Sequence, residues 1–537
     1  MKNSGRSRRS KKSSGAQFGF LDVAGVCLLL AVISAAAIAW HYAHGYLLYY
    51  GDAQAHLGIA RRVIDSRTPG PMQIGTVWLP LPHLLMLPFV RVDSWWRSGL
   101  AGAIPSGICF VIAGGFLYAA VRRLFTSQWA ALAAVLLLAA NPNMLYLQSI
   151  PMTEPVFLAA LMGLLYAMVW FRQRHGIWPV LLGAVFSLTA SFTRYEGWFL
   201  LPFAALYFAV TGGKQRWWMG MLFGALASLA PLAWLAHNWW YYGNVLEFYD
   251  GPYSAQAIYQ RALQSGMDRY PGDHDWTRAF AQYAAAAQLC AGGALPLLAA
   301  AGFIAALWKR AFWVLGFLAL PSVFYVWSLY GSGTPIYVPH LWPNSYYNTR
   351  YGLAAFPLLV LCAASLVAVI PARMQMVTTA LVVFVAALPW LVYPRAENWI
   401  CWKESQVNSE TRRAWTREAA AYIGPRYRSG EGIYTSFGDM AGIFREAGIP
   451  LKETLYDGNH PLWNAVEQRP DLFLNEEWAI AMSGDTVSNT LLKADRLGRR
   501  YIYEKIVEIK NAPVIEIYRR QSSAHENPIH ESARGAQ

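Results

Sequence analysis

Four short polar stretches in an otherwise apolar chain place charged side chains beside residues that could hold or transfer a group. Asp52 lies in the stretch 49–65, YYGDAQAHLGIARRVID, at the head of a helical pattern. A carboxylate there can serve as a general base that meets a lipid-borne donor and a water-borne acceptor. Aspartate is also a favoured helix N-cap, worth roughly 1 kcal/mol, so position alone leaves both roles open. The stretch 346–352, YYNTRYG, sets Arg350 between Tyr347 and Tyr351. A guanidinium offers a planar fork for phosphate, and flanking tyrosines add hydroxyls and stacking surface. The competing reading is an Arg/Tyr anchor belt at a membrane boundary.

The third stretch, TRYEGW at 193–198, holds Arg194 and Glu196, which can neutralise each other or serve a substrate. In the fourth, PMTEP at 151–155, Glu154 either orients a substrate or begins a helix as a favourable charge. His56, His83 and His340 lack ligand spacing. Of the five cysteines, Cys27, Cys109, Cys290 and Cys362 lie in or beside apolar runs and Cys401 in a polar region, with no spacing for a metal or a disulfide framework. No cofactor is expected, and dependence on a divalent metal is left open.

These residues need a scaffold, and the charges of the connections describe it. Arg122 and Arg123, Arg172 and Arg174, Lys214 and Arg216, Lys309 and Arg310, and Arg373 occupy alternate short connections without acids. Glu154, Glu196, Glu247, Asp250, Asp268, Asp273 and Asp275 occupy the others. Retained positive charge sets the orientation of a polytopic chain, so the basic connections are predicted on the cytoplasmic side and the acids outside. With 55% hydrophobic and 14% charged residues in 537, the chain is predicted to be a multi-pass protein of the cell membrane. Six positive charges of the net +13 fall at Lys2, Arg6, Arg8, Arg9, Lys11 and Lys12, so the basic balance points to membrane lipid and no nucleic acid.

A basic, disordered cytoplasmic tail is expected over 1–17, then a membrane domain over 18–393. Spans are predicted near 20–40, 100–121, 128–147, 155–171, 177–193, 196–211, 217–237, 287–308, 312–329, 350–370 and 374–393, about eleven in all. The stretch 77–90, interrupted by Pro80, Pro82 and Pro88, suits an interfacial or re-entrant element. Outer loops are expected over 41–99, 238–288 and 330–349; in the first, Leu57, Ala60, Val63 and Ile64 predict an amphipathic helix on the membrane surface.

Residues 394–520 change character, with shorter apolar runs and balanced charge, and predict a small extracytoplasmic α/β domain followed by a flexible tail over 521–537. A helix is expected over 410–422 after Ser409, and strands over 433–437, 471–474, 501–509 and 514–518.

A retained first span, an aspartate in a long first outer loop, an acid at the second outer connection, an Arg-Tyr pair entering a late span and an outer C-terminal domain resemble the GT-C class of integral membrane glycosyltransferases. Within it the chain looks most like glycosyltransferase family 39, the protein mannosyltransferase and aminoarabinose transferase group. The resemblance covers about residues 18–393. It departs from the family in one place: many members carry Asp-Glu in the first loop, where this chain has Asp52-Ala53. A second acid would then come from Glu154, Glu196 or Asp65.

The resemblance implies inverting transfer of a hexose or pentose from a polyprenyl-phosphate carrier to a glycan, lipid or protein acceptor on the outer face. Asp52 would be the catalytic base and Arg350 the phosphate ligand, with Arg194 a second candidate for the phosphate. Glu154, Glu196, Tyr347 and Tyr351 complete the expected substrate-binding set. The alternative is a transporter or flippase of a lipid-linked sugar, which would favour repeated halves and ionisable groups at mid-membrane.

Overall fold

The computed structural model describes residues 20–392 and 398–521. The expected basic tail 1–17, the boundary at 394 and all but the first residue of the tail 521–537 lie outside the described residues.

Each of the eleven apolar segments is helical, but not all are single helices long enough to cross a membrane. Among the described residues seven helices are long and apolar enough: Asp22–Ala43, Leu100–Phe125, Glu154–Gln173, Gly213–Tyr242, Phe312–Tyr330, Thr349–Val369 and Ala372–Val392. The pair Trp276–Ala291 and Ala294–Trp308 makes an eighth if it counts as one span, bent by 103° at the Gly292-Gly293 break. The segment expected at 128–147 is divided into Gln128–Ala139 and Pro142–Leu147, because Asn141 caps a new helix through the Met144 N–H. Ile177–Ser191, at 15 residues, is about 22 Å long and shorter than a typical hydrocarbon core of about 30 Å.

The two ends of the bundle differ as the charges foretold. At one end the Arg123 side chain donates to Gln173 at 3.0 Å, Ser127 donates to Gln375 at 2.7 Å and Arg172 lies over Trp313, so the basic connections meet. The acidic starts of Glu154–Gln173 and Tyr195–Thr211 gather at the opposite end. Glu154–Gln173 is the central helix, 83% of its apolar window buried, whereas Asp22–Ala43 and Ala372–Val392 are 17% buried and present apolar flanks outward.

In the first loop the expected helix is present as Gly51–Arg62, but its apolar side faces protein rather than lipid. Leu57 and Ala60 pack with Met86 and Val90 of the short helix Leu81–Val90 and with Trp415, Ile433 and Met440 of the C-terminal domain. Gly58 lies so near Phe437 that an added Cβ would sit 3.4 Å from its ring. At 10 residues, Leu81–Val90 is too short to span, in keeping with an interfacial element.

The C-terminal domain carries a five-stranded sheet in the order β2-β1-β3-β5-β4: β1 (Ile433–Thr435), β2 (Thr454–Leu455), β3 (Trp478–Met482), β4 (Tyr501–Val507) and β5 (Ile515–Arg520). β1 runs parallel to β2 and β3, and β5 runs antiparallel to β3 and β4. The strand expected over 471–474 is instead a helical turn, Pro470–Phe473, because Pro470 supplies the φ of a first helical position. The strand lies further on, as β3, whose first four residues are all buried. The expected helix over 410–422 begins ten residues earlier, as Ile400–Ile423, a difference with consequences for the site.

A buried polar clasp joins this domain to the first loop. Ser66 Oγ lies 2.7 Å from Tyr456 Oη, which donates to Gln73 Oε1 at 2.9 Å, and Asn459 donates to Ser66 and Thr68. Arg67 pairs with Glu476 at 2.5 Å. Asp65 belongs to the same clasp: it pairs with Arg61 and accepts the backbone N–H groups of Leu451 and Lys452.

Candidate active site

Three helices begin at the same end of the bundle with an acid in the first turn: Gly51–Arg62 with Asp52, Glu154–Gln173 with Glu154 and Tyr195–Thr211 with Glu196. Carboxylates are favoured there by the partial positive charge of the helix N-terminus. What they converge on is a pair of arginines, Arg350 buried and Arg194 largely enclosed.

Arg350 lies in the 3-10 turn Thr349–Ala355 and is 4% exposed. Asn348, at φ 53°, turns the chain into this segment. Gly352 lets it press against the helix Trp276–Ala291, since a Cβ there would sit 2.4 Å from the Ala286 backbone. The guanidinium donates to three carboxylates: Nη2 to Asp52 Oδ2, Nε to Glu154 Oε1 at 3.1 Å and Nη1 to Glu404 Oε1 at 3.4 Å. Its faces are covered by Tyr50 and Tyr351, with ring centres 5.1 and 4.8 Å away. The fork is thus fixed in plane and in direction.

Arg194 is held more tightly still. Its Nε donates to Glu196 Oε1 at 2.7 Å, Nη1 to Thr153 Oγ1 at 2.5 Å and to Glu154 Oε1 at 3.2 Å, and Nη2 to Tyr325 Oη at 2.6 Å. Tyr325 in turn donates to Glu196. Gly197 permits this, because the start of its helix lies against Ala190 and Ser191, 2.4 Å from where a Cβ would be.

The expected residues are therefore brought together with one exception and one addition. Asp52, Glu154, Arg194, Glu196, Arg350 and Tyr351 form one connected cluster. Tyr347 lies at the edge, 45% exposed and paired with Tyr337 in an isolated bridge; among the described residues it makes no hydrogen bond to the cluster, although Asp52, Arg350 and Glu404 are near enough to act on its hydroxyl electrostatically. Asp65 is not the second acid, since the clasp occupies it. Asp52 is not the N-cap either: Tyr50 holds that position, and the Asp52 carboxylate, 39% exposed, turns to Arg350.

The addition is Glu404, 1% exposed, from the C-terminal helix Ile400–Ile423. It accepts the backbone N–H groups of Asn348 at 2.9 Å and Thr349 at 2.7 Å and the Thr349 hydroxyl at 2.5 Å, and so grips the turn that presents Arg350. Burial pushes its carboxyl above the ordinary range, opposed by Arg350 and the Thr349 donors. Ile400, Cys401, Glu404 and Ser405 share one buried face of that helix, but no local pattern in the sequence shows that this face meets Arg350.

If all four acids are ionised, two guanidiniums face four carboxylates. Glu154 Oε2 is buried and has no hydrogen-bond partner among the described residues, so it can take a hydrogen bond from a ligand. One turn beyond Asp52, His56 Nδ1 lies 2.9 Å from His83 Nε2. Burial, with Arg350 and Arg194 nearby, lowers His56 to about 3, and burial with His56 and Arg62 holds His83 well below its ordinary value. Both are neutral at physiological pH. Among the described residues no three His, Cys, Asp or Glu side chains are grouped as a metal site.

Residues 96–241 match the sequence profile of the family described as Dolichyl-phosphate-mannose-protein mannosyltransferase. Among solved structures, ArnT from Cupriavidus metallidurans in the apo state aligns with a TM-score of 0.52 and 13% identity over 92% of this chain and 98% of that one. The same protein bound to undecaprenyl phosphate aligns at 0.50 and 12% identity, over 90% and 97%. The Archaeoglobus fulgidus oligosaccharyltransferase in the apo form aligns at 0.44 and 12% identity, over 87% and 70%. No curated protein matches significantly in sequence. The likeness to ArnT runs almost end to end in both chains, and the GT-C-class fold expected from the sequence is the fold observed.

Proposed function

We propose that this chain is a membrane glycosyltransferase that moves a sugar from a polyprenyl-phosphate carrier to an acceptor on the outer face, with inversion at the anomeric carbon. The observation that carries the reading is the Asp52–Arg350 pair: a half-exposed carboxylate and a buried fork, 298 residues apart in sequence, meet at the bundle end where three helix N-termini converge. ArnT, which shares this fold, was solved bound to undecaprenyl phosphate, and that supports a carrier of this class. Long apolar helix flanks would receive the prenyl tail, and the fork would receive the phosphate.

Asp52 and Arg350 occupy each other when no donor is present, and this orders the reaction. An arriving phosphate competes for Arg350 Nη2 and displaces Asp52, which is then free to take the proton of an acceptor hydroxyl or amine as that atom attacks the anomeric carbon. The bond to the lipid phosphate breaks as the new bond forms. Charge growing on the departing phosphate falls on a guanidinium already clamped by Glu404, Glu154 and two aromatic faces, so little reorganisation is required. Glu154 Oε2 is placed to orient a hydroxyl of the sugar or acceptor. Arg194 supports Glu154 and Glu196 and adds positive potential behind the phosphate.

Clustering of ionisable groups at one end of the bundle favours the enzyme over a transporter, whose groups would sit at mid-membrane. The deciding experiment uses the purified full chain in lipid with a panel of polyprenyl-phosphate sugars. Transfer or hydrolysis of one of them is expected. Movement of an intact lipid-linked sugar across sealed vesicles, with no bond cleaved in any case, would establish the transporter instead.

A further inference from the structure

Below the arginine cluster, Cys290 near the end of helix Trp276–Ala291 and Cys401 in the first turn of helix Ile400–Ile423 bring their sulfurs to 3.9 Å. Both are buried, at 1% and 0% exposure. One side chain fixes both backbones: Asn143 Oδ1 accepts the Cys401 N–H at 3.0 Å, and Asn143 Nδ2 donates to the Cys290 carbonyl at 3.1 Å. Asn141 Nδ2 donates to the same carbonyl at 2.8 Å. The cysteines are free in this structure, but a sulfur–sulfur bond of about 2.05 Å needs each atom to move only about 1 Å. The pair also touches the site, because the Cys290 thiol donates to the Thr349 carbonyl at 3.1 Å, next to Arg350.

We propose that Cys290 and Cys401 are joined by a disulfide in the membrane-inserted protein, stapling the first turn of the C-terminal helix beneath the turn that presents Arg350. The proposal rests on the outward orientation given under Proposed function, since an outer compartment is oxidising and the cytosol is not. Formation removes one proton and one electron from each thiol. The electrons pass to a disulfide-donating oxidoreductase of the outer compartment, whose own disulfide becomes two thiols after exchange through a mixed disulfide. Burial raises the Cys401 thiol and shuts out a protein oxidant, so exchange occurs before helix Ile400–Ile423 docks. Once docked, the bond is inaccessible to reductant. It acts as a staple, not as a switch.

The test counts thiols in the full-length protein isolated from its membrane, denatured without reductant and labelled with a maleimide-polymer. Of the five cysteines, Cys27, Cys109 and Cys362 are expected to label, and all five after reduction in denaturant. Treating the native protein with a phosphine reductant first should leave the count unchanged, and a linked peptide pair containing residues 290 and 401 should be found by mass spectrometry. Cys401→Ser should release Cys290 to labelling and lower the melting temperature. Five labelled thiols in protein whose C-terminal reporter reads outside overturn the disulfide alone. Five thiols with a reporter that reads inside overturn the orientation and the disulfide with it, and a linked pair other than 290 and 401 overturns the proposal.

Discussion

Arg350 and Arg194 share Glu154 and the face of Tyr351, yet their surroundings give them different work. Arg194 spends its donors on Glu196, Thr153, Glu154 and Tyr325, whose hydroxyl also closes back on Glu196. Arg350 also holds the enclosed Glu154 and Glu404, but its third partner, Asp52, has a side chain that is 39% exposed. A guanidinium ringed by enclosed partners is a fixture, whereas one with an exchangeable carboxylate can trade it for an incoming anion. Burial alone would not separate them; the accessibility of the partner does.

The strongest way to break this contrast is Asp52→Asn. Tyr50 rather than Asp52 is the N-cap, so the amide should leave the helix Gly51–Arg62 and the fold unchanged while transfer falls about a hundredfold or more. Glutamate, which keeps the base but displaces it, should give partial activity. Near-normal transfer by the asparagine variant, measured with radiolabelled donor, would remove Asp52 as the base.

Lysine at each arginine sharpens the comparison further. Arg350→Lys should lower transfer by roughly tenfold or more, since an ammonium cannot reproduce two parallel hydrogen bonds to phosphate, and this loss should outweigh the fall in melting temperature that comes from weakening the buried pairs with Glu154 and Glu404. Arg194→Lys should act chiefly on stability, because Glu196 and Tyr325 lose buried partners, and disrupting such a pair costs about 3 kcal/mol when a partner is removed outright. Equal effects of the two variants on both readouts would erase the distinction.

The smallest expected effect comes from protons. His56 lies on the Arg350 side, one turn from Asp52, and its folded value is lowered to about 3. The unfolded chain therefore takes up a proton near pH 6.5 that the folded chain refuses, so stability is retained above that pH and lost as pH falls toward 3. Each pH unit in that window removes about 1.4 kcal/mol for this group. Between pH 7 and 5 the melting temperature should drop by a few degrees, and His56→Gln should flatten the slope. An unchanged slope in that variant would show that other groups govern it.

Much of the cluster was legible because its members announce themselves locally. Glu154 and Glu196 begin helices, Asp52 follows a span, and Arg350 sits between aromatics at the mouth of another. Glu404 was not, because the helix that carries it was read as starting at 410 and its approach to Arg350 is tertiary. Tyr347 was drawn in by adjacency; it precedes the 3-10 turn Thr349–Ala355 and stays at the rim, half-exposed but within electrostatic reach of Asp52 and Arg350. The apolar face of Gly51–Arg62 implied burial correctly but not its partner, since lipid and a distant domain satisfy the same pattern. Span number was obscured by helices too short to cross unaided.

The clasp between Ser66 and Tyr456 ties together residues 390 positions apart. At a synthesis rate of about 5–20 residues per second, roughly 20–80 s pass between the emergence of one partner and that of the other. For most of that interval Asp52 has neither Phe437 and Trp415 beside its helix nor Glu404 behind Arg350, so the cluster is completed only late in biogenesis. A chain stopped at residue 392 would carry all the membrane helices found among the described residues, but the turn that presents Arg350 would lack its Glu404 clamp.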